Sequence, residues 1–182
     1  MEVINIVVFI TGLFFGIESS TVIAETTEVT INPKEKTMII QQKHLLAIYP
    51  KEKDDRFAEE EFTLIYNNKT DWNTHLDAFA EKSIVYFSPK KNVLNATITL
   101  KYNTVADLKV FAINTNREGK FSIINLPNWV LKTKDGTRNG NYWNFDADKP
   151  FSFTYNPVES VPETYTINKT TLYSTWKKLS KK

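Results

Sequence analysis

The fold class is decided by one stretch of strictly alternating residues, Leu94-Asn-Ala-Thr-Ile-Thr-Leu-Lys-Tyr102. Apolar side chains occupy every second position and polar ones the positions between, so an extended strand would bury one face and wet the other. Threonine and isoleucine also favour the pleated, half-buried surface of a sheet. The stretch therefore predicts a β-strand, and similar runs occur on both sides of it.

Short alternating or β-branched runs surround this strand along the chain. They predict further strands at 28–32, 37–42, 44–49, 62–66, 83–87, 108–112, 129–133, 151–155 and 164–168. One short helix is predicted after Thr74, which can cap it, and a weaker helical turn covers 55–61. About ten short strands separated by Pro, Asp-Gly and Asn-Gly turns indicate a mostly β fold. We expect a single antiparallel β-sandwich, Ig-like or a similar Greek key, with a β-barrel as the alternative.

The first 24 residues have the pattern of an export signal. An apolar run from Ile4 to Ile17 precedes a short polar stretch and then Val22-Ile23-Ala24, which favours cleavage after Ala24. The run is shorter than the roughly 20 residues that a spanning helix needs. Glu2 stands where a positive charge is usual. An uncleaved anchor and a buried core segment are the alternatives. We expect a signal peptide at 1–24 and one mostly β domain at 25–182, with no membrane span in the mature chain.

Charge and cysteine content narrow the classes of partner and compartment. Removing residues 1–24 deletes two glutamates and no Lys or Arg, which moves the formal net charge from +2 to +4. This excess is too small for a nucleic-acid binder, so no nucleic-acid partner is expected. Four lysines in 174–182 predict a short basic solvated tail, with contact to an anionic wall polymer or membrane surface as the alternative. The absence of cysteine favours an extracellular or cell-surface protein of a Gram-positive bacterium.

No catalytic constellation is recognisable in the sequence. The two histidines, His44 and His75, are not beside a nucleophile motif, and a structural role is expected for each. Asp146 and Asp148 could face the same way on a strand, which suits catalytic carboxylates or oxygen ligands for calcium. Because Lys and Pro follow at once, a polar turn is the preferred interpretation, and the pair are weak metal candidates. We expect neither enzyme activity nor a cofactor.

The feature that most favours a binding function is a run of aromatic residues interleaved with Asn and Asp between 128 and 155. Rings offer flat apolar faces and the amides offer directional hydrogen bonds, a mixture that suits recognition of sugars or proteins. Tyr142 and Trp143 are adjacent, so in a strand they point to opposite faces and one should be exposed. Core packing is the alternative interpretation of the group. The candidate ligand-binding residues are Trp129, Asn141, Tyr142, Trp143 and Asn144.

A short motif at the start of this run resembles one found in a known family. Secreted Gram-positive WxL-domain proteins, which attach non-covalently to the cell wall, carry two Trp-x-Leu motifs, the second near the C-terminus after a Tyr-rich strand. Trp129-Val130-Leu131 is similar to the first. Near the end, Tyr165-Thr166 leads to Trp176-Lys177-Lys178-Leu179, which is Trp-x-x-Leu and departs from the second. The resemblance implies non-covalent retention at a cell wall.

These features favour a secreted or cell-surface, non-catalytic β-sandwich that binds another macromolecule in an adhesin, wall-associated or assembly role. The alternatives are a carbohydrate-binding module with an exposed aromatic patch and a small secreted hydrolase that uses acids such as Asp146. A coplanar pair of exposed rings would favour the module. Two carboxyl groups about 5–10 Å apart in a cleft would favour the hydrolase. A flat apolar patch would favour the first class, whose partner is a protein or a cell-wall glycan.

Overall fold

Two antiparallel sheets form most of the structure, which is a computed structural model describing residues 21–50, 55–70, 76–125, 131–156 and 167–181. The strands are β1 (Val22–Asn32), β2 (Thr37–Pro50), β3 (Glu81–Phe87), β4 (Asn95–Lys101), β5 (Ile113–Thr115), β6 (Phe121–Ile124), β7 (Thr137–Asn139), β8 (Tyr142–Phe145), β9 (Phe151–Tyr155) and β10 (Ile167–Thr171). The helices are α1 (Asp55–Tyr66), a 3-10 helix (Val105–Phe111) and α2 (Tyr173–Leu179).

The large sheet is built around the hairpin of β1 and β2. Its order is β3-β4-β2-β1-β9, and β10 also pairs with β2. Because β2 is 14 residues long, it shares one edge between two partners: β4 pairs with residues 37–42 and β10 with residues 46–50. The small sheet has the order β5-β6-β8-β7. In the described part of the chain, neither sheet closes on itself. The mostly β sandwich is therefore confirmed and the barrel alternative is wrong.

One hydrophobic core joins the two sheets. Alternate residues of β4 are buried in it, as the alternation of residues 94–102 predicts. Much of the aromatic run also lies there: the rings of Phe145 and Phe151 stack with centroids 4.3 Å apart, and Phe153 is 6.0 Å from Phe145. The core interpretation is therefore right for these rings.

The β1–β2 hairpin changes its buried face at Glu25 and His44. Between residues 27 and 31 of β1, the odd-numbered side chains are buried. At the start of the strand, the side chains that face the core are those of the even-numbered residues Val22 and Ala24. His44 adopts a left-handed φ of 57° at this point. Its backbone N–H donates to Asn95 Oδ1 at 2.9 Å, and its Nδ1 lies 2.7 Å from Glu25 Oε2. The change of face lets one hairpin line the core on both sides of the bend.

β1 begins inside the stretch that the sequence assigns to the signal peptide. Residues 22–24 are at most 2% exposed and pair with 45–47 of β2. The backbone N–H of Thr21 lies 3.1 and 3.0 Å from the two carboxylate oxygens of Glu61, and the Thr21 hydroxyl also donates to Glu61. Cleavage after Ala24 would remove all these contacts. Residues 1–20 lie outside the described residues, so the signal peptide and its cleavage position stay predictions.

Two segments predicted as strands are helical instead. Residues 62–66 belong to α1, whose buried residues Ala58, Phe62 and Ile65 are spaced by the period of a helix. Residues 108–112 overlap the 3-10 helix, which a capping box of Thr104 and Asp107 begins. In both segments the buried residues are three or four positions apart. The apolar residues that alternate along each segment include some whose side chains are exposed.

Other predicted elements lie partly or wholly outside the described residues. These are the helix capped by Thr74, of which residues 71–75 are not described, and the strands at 129–133 and 164–168. Lys132 forms an isolated bridge with Thr154 of β9. The predicted basic tail is not a free tail where it is described, because α2 packs on α1: Thr175 is buried and its hydroxyl donates to Glu59 at 3.3 Å.

Candidate binding surfaces

The outer face of the small sheet presents one exposed ring among amides. β7 and β8 form a hairpin whose first loop residue, Gly140, has φ +57°, as a type II′ turn requires. Along β8, Trp143 and Phe145 face the core, and Tyr142 and Asn144 face outward. Tyr142 is 49% exposed. The adjacent pair therefore points to opposite faces, and Tyr142 is the exposed member.

Two of the candidate ligand-binding residues have structural hydrogen bonds. Trp143 packs against the core, and its Nε1–H donates to Asn125 Oδ1 at 3.0 Å. Asn144 Oδ1 accepts from Asn116 Nδ2 at 3.2 Å. Asn141 is exposed in the hairpin loop beside Tyr142, and Trp129 lies outside the described residues. No ring stacks on Tyr142 in the described part of the chain, so no coplanar exposed pair is found there.

Asp146 and Asp148 are exposed in the turn between β8 and β9. Asp146 Oδ2 accepts from Lys149 Nζ at 2.8 Å. This hydrogen bond holds the pKa of Asp146 below its ordinary value, so the carboxylate is ionised and paired. Among the described ranges there is no cluster of three side chains that could hold a metal ion. The two carboxylates therefore occupy the polar turn that the sequence favours.

β3 is an apolar strand at an edge of the large sheet, a feature that the sequence analysis missed. It pairs with β4 at every position from 81 to 87, and no described strand pairs with its other edge. Val85 and Phe87 point to the outer face and are 53% and 42% exposed. Ile39 of β2, 36% exposed, lies on the same face two strands away. Val85 and Phe87 are two residues apart on β3 and form a small apolar patch, the β3 patch, which Thr97 and Thr99 of β4 separate from Ile39.

A groove of about 440 Å³ runs beside this edge. Its walls include Tyr66 from the end of α1, Tyr86 of β3 and Trp176 of α2. The Tyr66 and Tyr86 rings are 5.3 Å apart, and Phe62 meets the Tyr86 ring edge-on at 5.8 Å. Burial, with a smaller effect of Tyr66, raises the pKa of the Tyr86 hydroxyl well above its ordinary value, so this wall carries no charge near neutral pH.

Two exposed lysines follow groove-lining residues in sequence, Lys177 within α2 and Lys181 after its end. The groove-lining residues before them are Trp176 and Ser180. Lys177 Nζ lies 5.8 Å from the ring centre of Tyr173. The neighbouring Lys178 is held elsewhere, 3.6 Å from Glu59. The groove lining itself contains no charged side chain.

The sequence signal for this site is the uninterrupted run Ile84-Val-Tyr-Phe87. A strand that is apolar on both faces is expected to be buried on both faces. Here one face packs on α1 and the other is exposed, which only the pairing of the strands reveals. Apolarity alone therefore does not identify the edge.

Comparison with known proteins found no match. No family model matches the chain, and no curated protein or solved structure matches it either. Within the described ranges, none of the helices combines the length and the apolar character needed to cross a bilayer.

Proposed function

We propose that this chain is an exported, non-catalytic β-sandwich that binds a protein partner at the cell surface or in the medium. The observation that supports the proposal is the apolar edge strand β3, with Val85 and Phe87 about half exposed. Exposed apolar edges are normally protected because they pair with other chains, and exposed apolar patches commonly mark protein interfaces. An adhesin, wall-associated or assembly role fits such a surface.

Export is proposed on the sequence alone. The apolar run at 4–17 and the small residues after it have the pattern of a signal peptide, and the chain contains no cysteine. A Gram-positive cell surface is the compartment that this composition favours.

Glycan binding at the small sheet is the second candidate. Tyr142, whose side chain is about half exposed, is the strand partner of Asn139 across the hairpin. Asn144 lies on the same face. An aromatic face flanked by amides suits a sugar ring and its hydroxyl groups. The single ring and the structural hydrogen bond of Asn144 make this the weaker candidate.

One binding experiment separates the two candidates. Purified chain is applied to cell-surface material of the source organism that is untreated, protease-treated or periodate-oxidised, and bound protein is measured. For the protein-binding proposal we expect binding that protease abolishes and that the double substitution Val85→Lys, Phe87→Lys removes. For the glycan candidate, periodate and Tyr142→Ala abolish binding, whereas protease does not. Absence of binding to all three materials contradicts both.

A matched control guards against a general effect of added charge. Leu64 on α1 is 46% exposed, comparable with Val85 and Phe87, and lies outside the β3 patch. Leu64→Lys should bind as well as the wild type. Every variant is first checked for an unchanged circular dichroism spectrum and melting temperature.

A further inference from the structure

We propose that processing during export removes residues 1–20 and leaves Thr21 as the first residue of the mature chain, with its α-ammonium group paired to Glu61. The inference rests on the proposed export of the chain and replaces the sequence-based expectation of cleavage after Ala24. In the reaction, a signal peptidase adds water across the peptide bond between Ser20 and Thr21. Ser20 leaves as a carboxylate at the end of the signal peptide, and the Thr21 nitrogen becomes a free amine that takes up a proton.

The start of β1 needs the residues that cleavage after Ala24 would remove. Residues 22–24 are at most 2% exposed and pair with residues 45–47 of β2. The Thr21 carbonyl oxygen extends this ladder, because it accepts from the Ile48 N–H at 2.8 Å. Without residues 21–24, this part of β2 would keep β10 on one edge and lose its partner on the other. Cleavage before Thr21 keeps the whole ladder.

Glu61 is placed to bind a positive charge at the nitrogen of Thr21. Its two carboxylate oxygens lie 3.1 and 3.0 Å from that nitrogen, and the Thr21 hydroxyl also donates to it. A backbone N–H has one hydrogen to share between two acceptors, whereas an ammonium group has three. In the described part of the chain, no Lys, Arg or His forms an ion pair with Glu61. An α-ammonium group on Thr21 would supply the counter-ion.

The pair would join the first residue of the mature chain to a helix 40 positions later. Thr21 is only 8% exposed, so its new amine would be held in place by the fold. Hydrogen bonds between ionised groups are roughly twice as strong as those between neutral groups. The processing step would therefore strengthen the contact between β1 and α1 as well as remove the signal peptide.

The sequence pattern and the fold favour different peptide bonds. Signal peptidases read small residues at the first and third positions before the cut. Cleavage after Ala24 places Ala24 and Val22 there, whereas cleavage after Ser20 places Ser20 and Glu18 there. Ser20 fits the pattern and Glu18 does not. The fold favours the earlier bond because of the buried ladder and the carboxylate at Thr21.

The N-terminus of the exported protein tests the position of the cut. The full chain with a C-terminal affinity tag is expressed in the source organism and recovered from the medium and from the cell surface. Free amines are dimethylated before digestion, so that the N-terminal peptide is recognised by its mass. We expect this peptide to begin at Thr21. A first residue of Glu25, or any first residue before Thr21, would overturn the inference.

The ion pair is tested on the chain that begins at Thr21, prepared with a free or an acetylated α-amine. At pH 6, below the ordinary α-amine pKa of about 7.7–8.0, urea denaturation should give the free amine about a tenfold larger folding constant, roughly 1.4 kcal/mol. Glu61→Gln should remove this difference. Glu60→Gln, the exposed neighbour on α1, should keep it. Equal stability of the two wild-type forms, or a difference that persists in Glu61→Gln, would contradict the pair.

Export and the processing position fail in different ways. If the tagged chain is found in the medium, or is digested by protease added to intact cells, but begins at Glu25, the chain is exported and the inference about Thr21 is wrong. If the chain stays protected inside the cells with residues 1–20 attached, the proposed export is wrong as well.

Discussion

The large and the small sheet are held together in different ways, although they share one core. Strands of the large sheet reach 14 residues, and their backbone ladders run over as many as ten paired positions. Strands of the small sheet have three or four residues. Side-chain bonds supplement these short ladders, from Trp143 to Asn125 and from Asn116 to Asn144.

The difference indicates where a binding surface can be placed at little cost in stability. A long ladder keeps β3 in the sheet whatever its outer side chains are, so these side chains are available for a partner. In the small sheet the side chains of Trp143 and Asn144 are part of what holds the strands in place. Asn144, one of the amides that would suit a sugar ligand, is therefore already engaged.

The largest effect is expected at the start of the large sheet. A chain beginning at residue 25 should be about 3–6 kcal/mol less stable than one beginning at 21, because full burial of Val22 and of Ile23 contributes roughly 1.5–3 kcal/mol each. Urea denaturation of the two chains measures the difference. Equal midpoints would instead place the start of the domain at Glu25 and support cleavage after Ala24.

A smaller loss is expected where the small sheet meets the core. An added Cβ on Gly136 would lie 2.7 Å from the Phe145 ring, so Gly136→Ala should cost about 1–3 kcal/mol by overpacking. The same substitution in a Phe145→Leu background should cost less, since the ring is gone. A penalty that is identical in both backgrounds would show that the ring contact is not its cause.

The hydrogen bonds of the small sheet provide a more modest test. Trp143→Phe removes the donor to Asn125 Oδ1 and should cost about 1 kcal/mol, the usual value of such a bond. Tyr142→Phe, on the exposed face of the same strand, should change thermal stability by less than about 0.5 kcal/mol. Equal melting temperatures of the two variants would show that the hydrogen bond from Trp143 to Asn125 does not stabilise the small sheet.

The smallest effect is expected in the 3-10 helix that connects the two sheets. Backbone N–H groups of Asn103 and Thr104 donate to Asp107 Oδ2 at 2.8 and 3.0 Å, and the bond from Thr104 is the main cause that lowers the pKa of Asp107 below 3.8. A carboxyl whose pKa is lower in the folded than in the unfolded state stabilises the fold above pH 3.8. That stabilisation is lost as the pH falls through the lower, folded-state pKa. Asp107→Asn should therefore be less stable at neutral pH, by about 1 kcal/mol or less.

The pH profile supplies the control for this last prediction. The difference between wild type and Asp107→Asn in denaturation midpoint should shrink as the pH falls through the lowered folded-state pKa of Asp107 and the wild-type carboxyl becomes protonated. A difference that does not depend on pH would assign the loss to packing and not to the carboxylate.

Alternation predicted β4 and β9 well, because each has one buried face and one face that is more exposed. It was misleading at 62–66, where Leu64 is exposed on α1 and only Phe62 and Ile65 are buried. Over five residues, chance alternation and helical spacing are hard to distinguish. The helix became evident only with Ala58 included, one turn earlier.

The candidate surfaces were predictable to different degrees. The opposite orientation of Tyr142 and Trp143 follows from adjacency in a strand, and β8 shows it. The β3 edge depends on which strands are neighbours, and a local pattern contains no information on strand order. The groove further needs α1 and α2 to meet the same strand from distant parts of the chain.

The shared edge of β2 also bears on when the protein can fold. Residues 46–50 of β2 pair with β10, roughly 120 residues later in the chain. While the chain is being synthesised, this edge of β2 lacks its β10 partner until residues 167–171 have been made. Since contacts between distant residues form slowly, the large sheet is completed late.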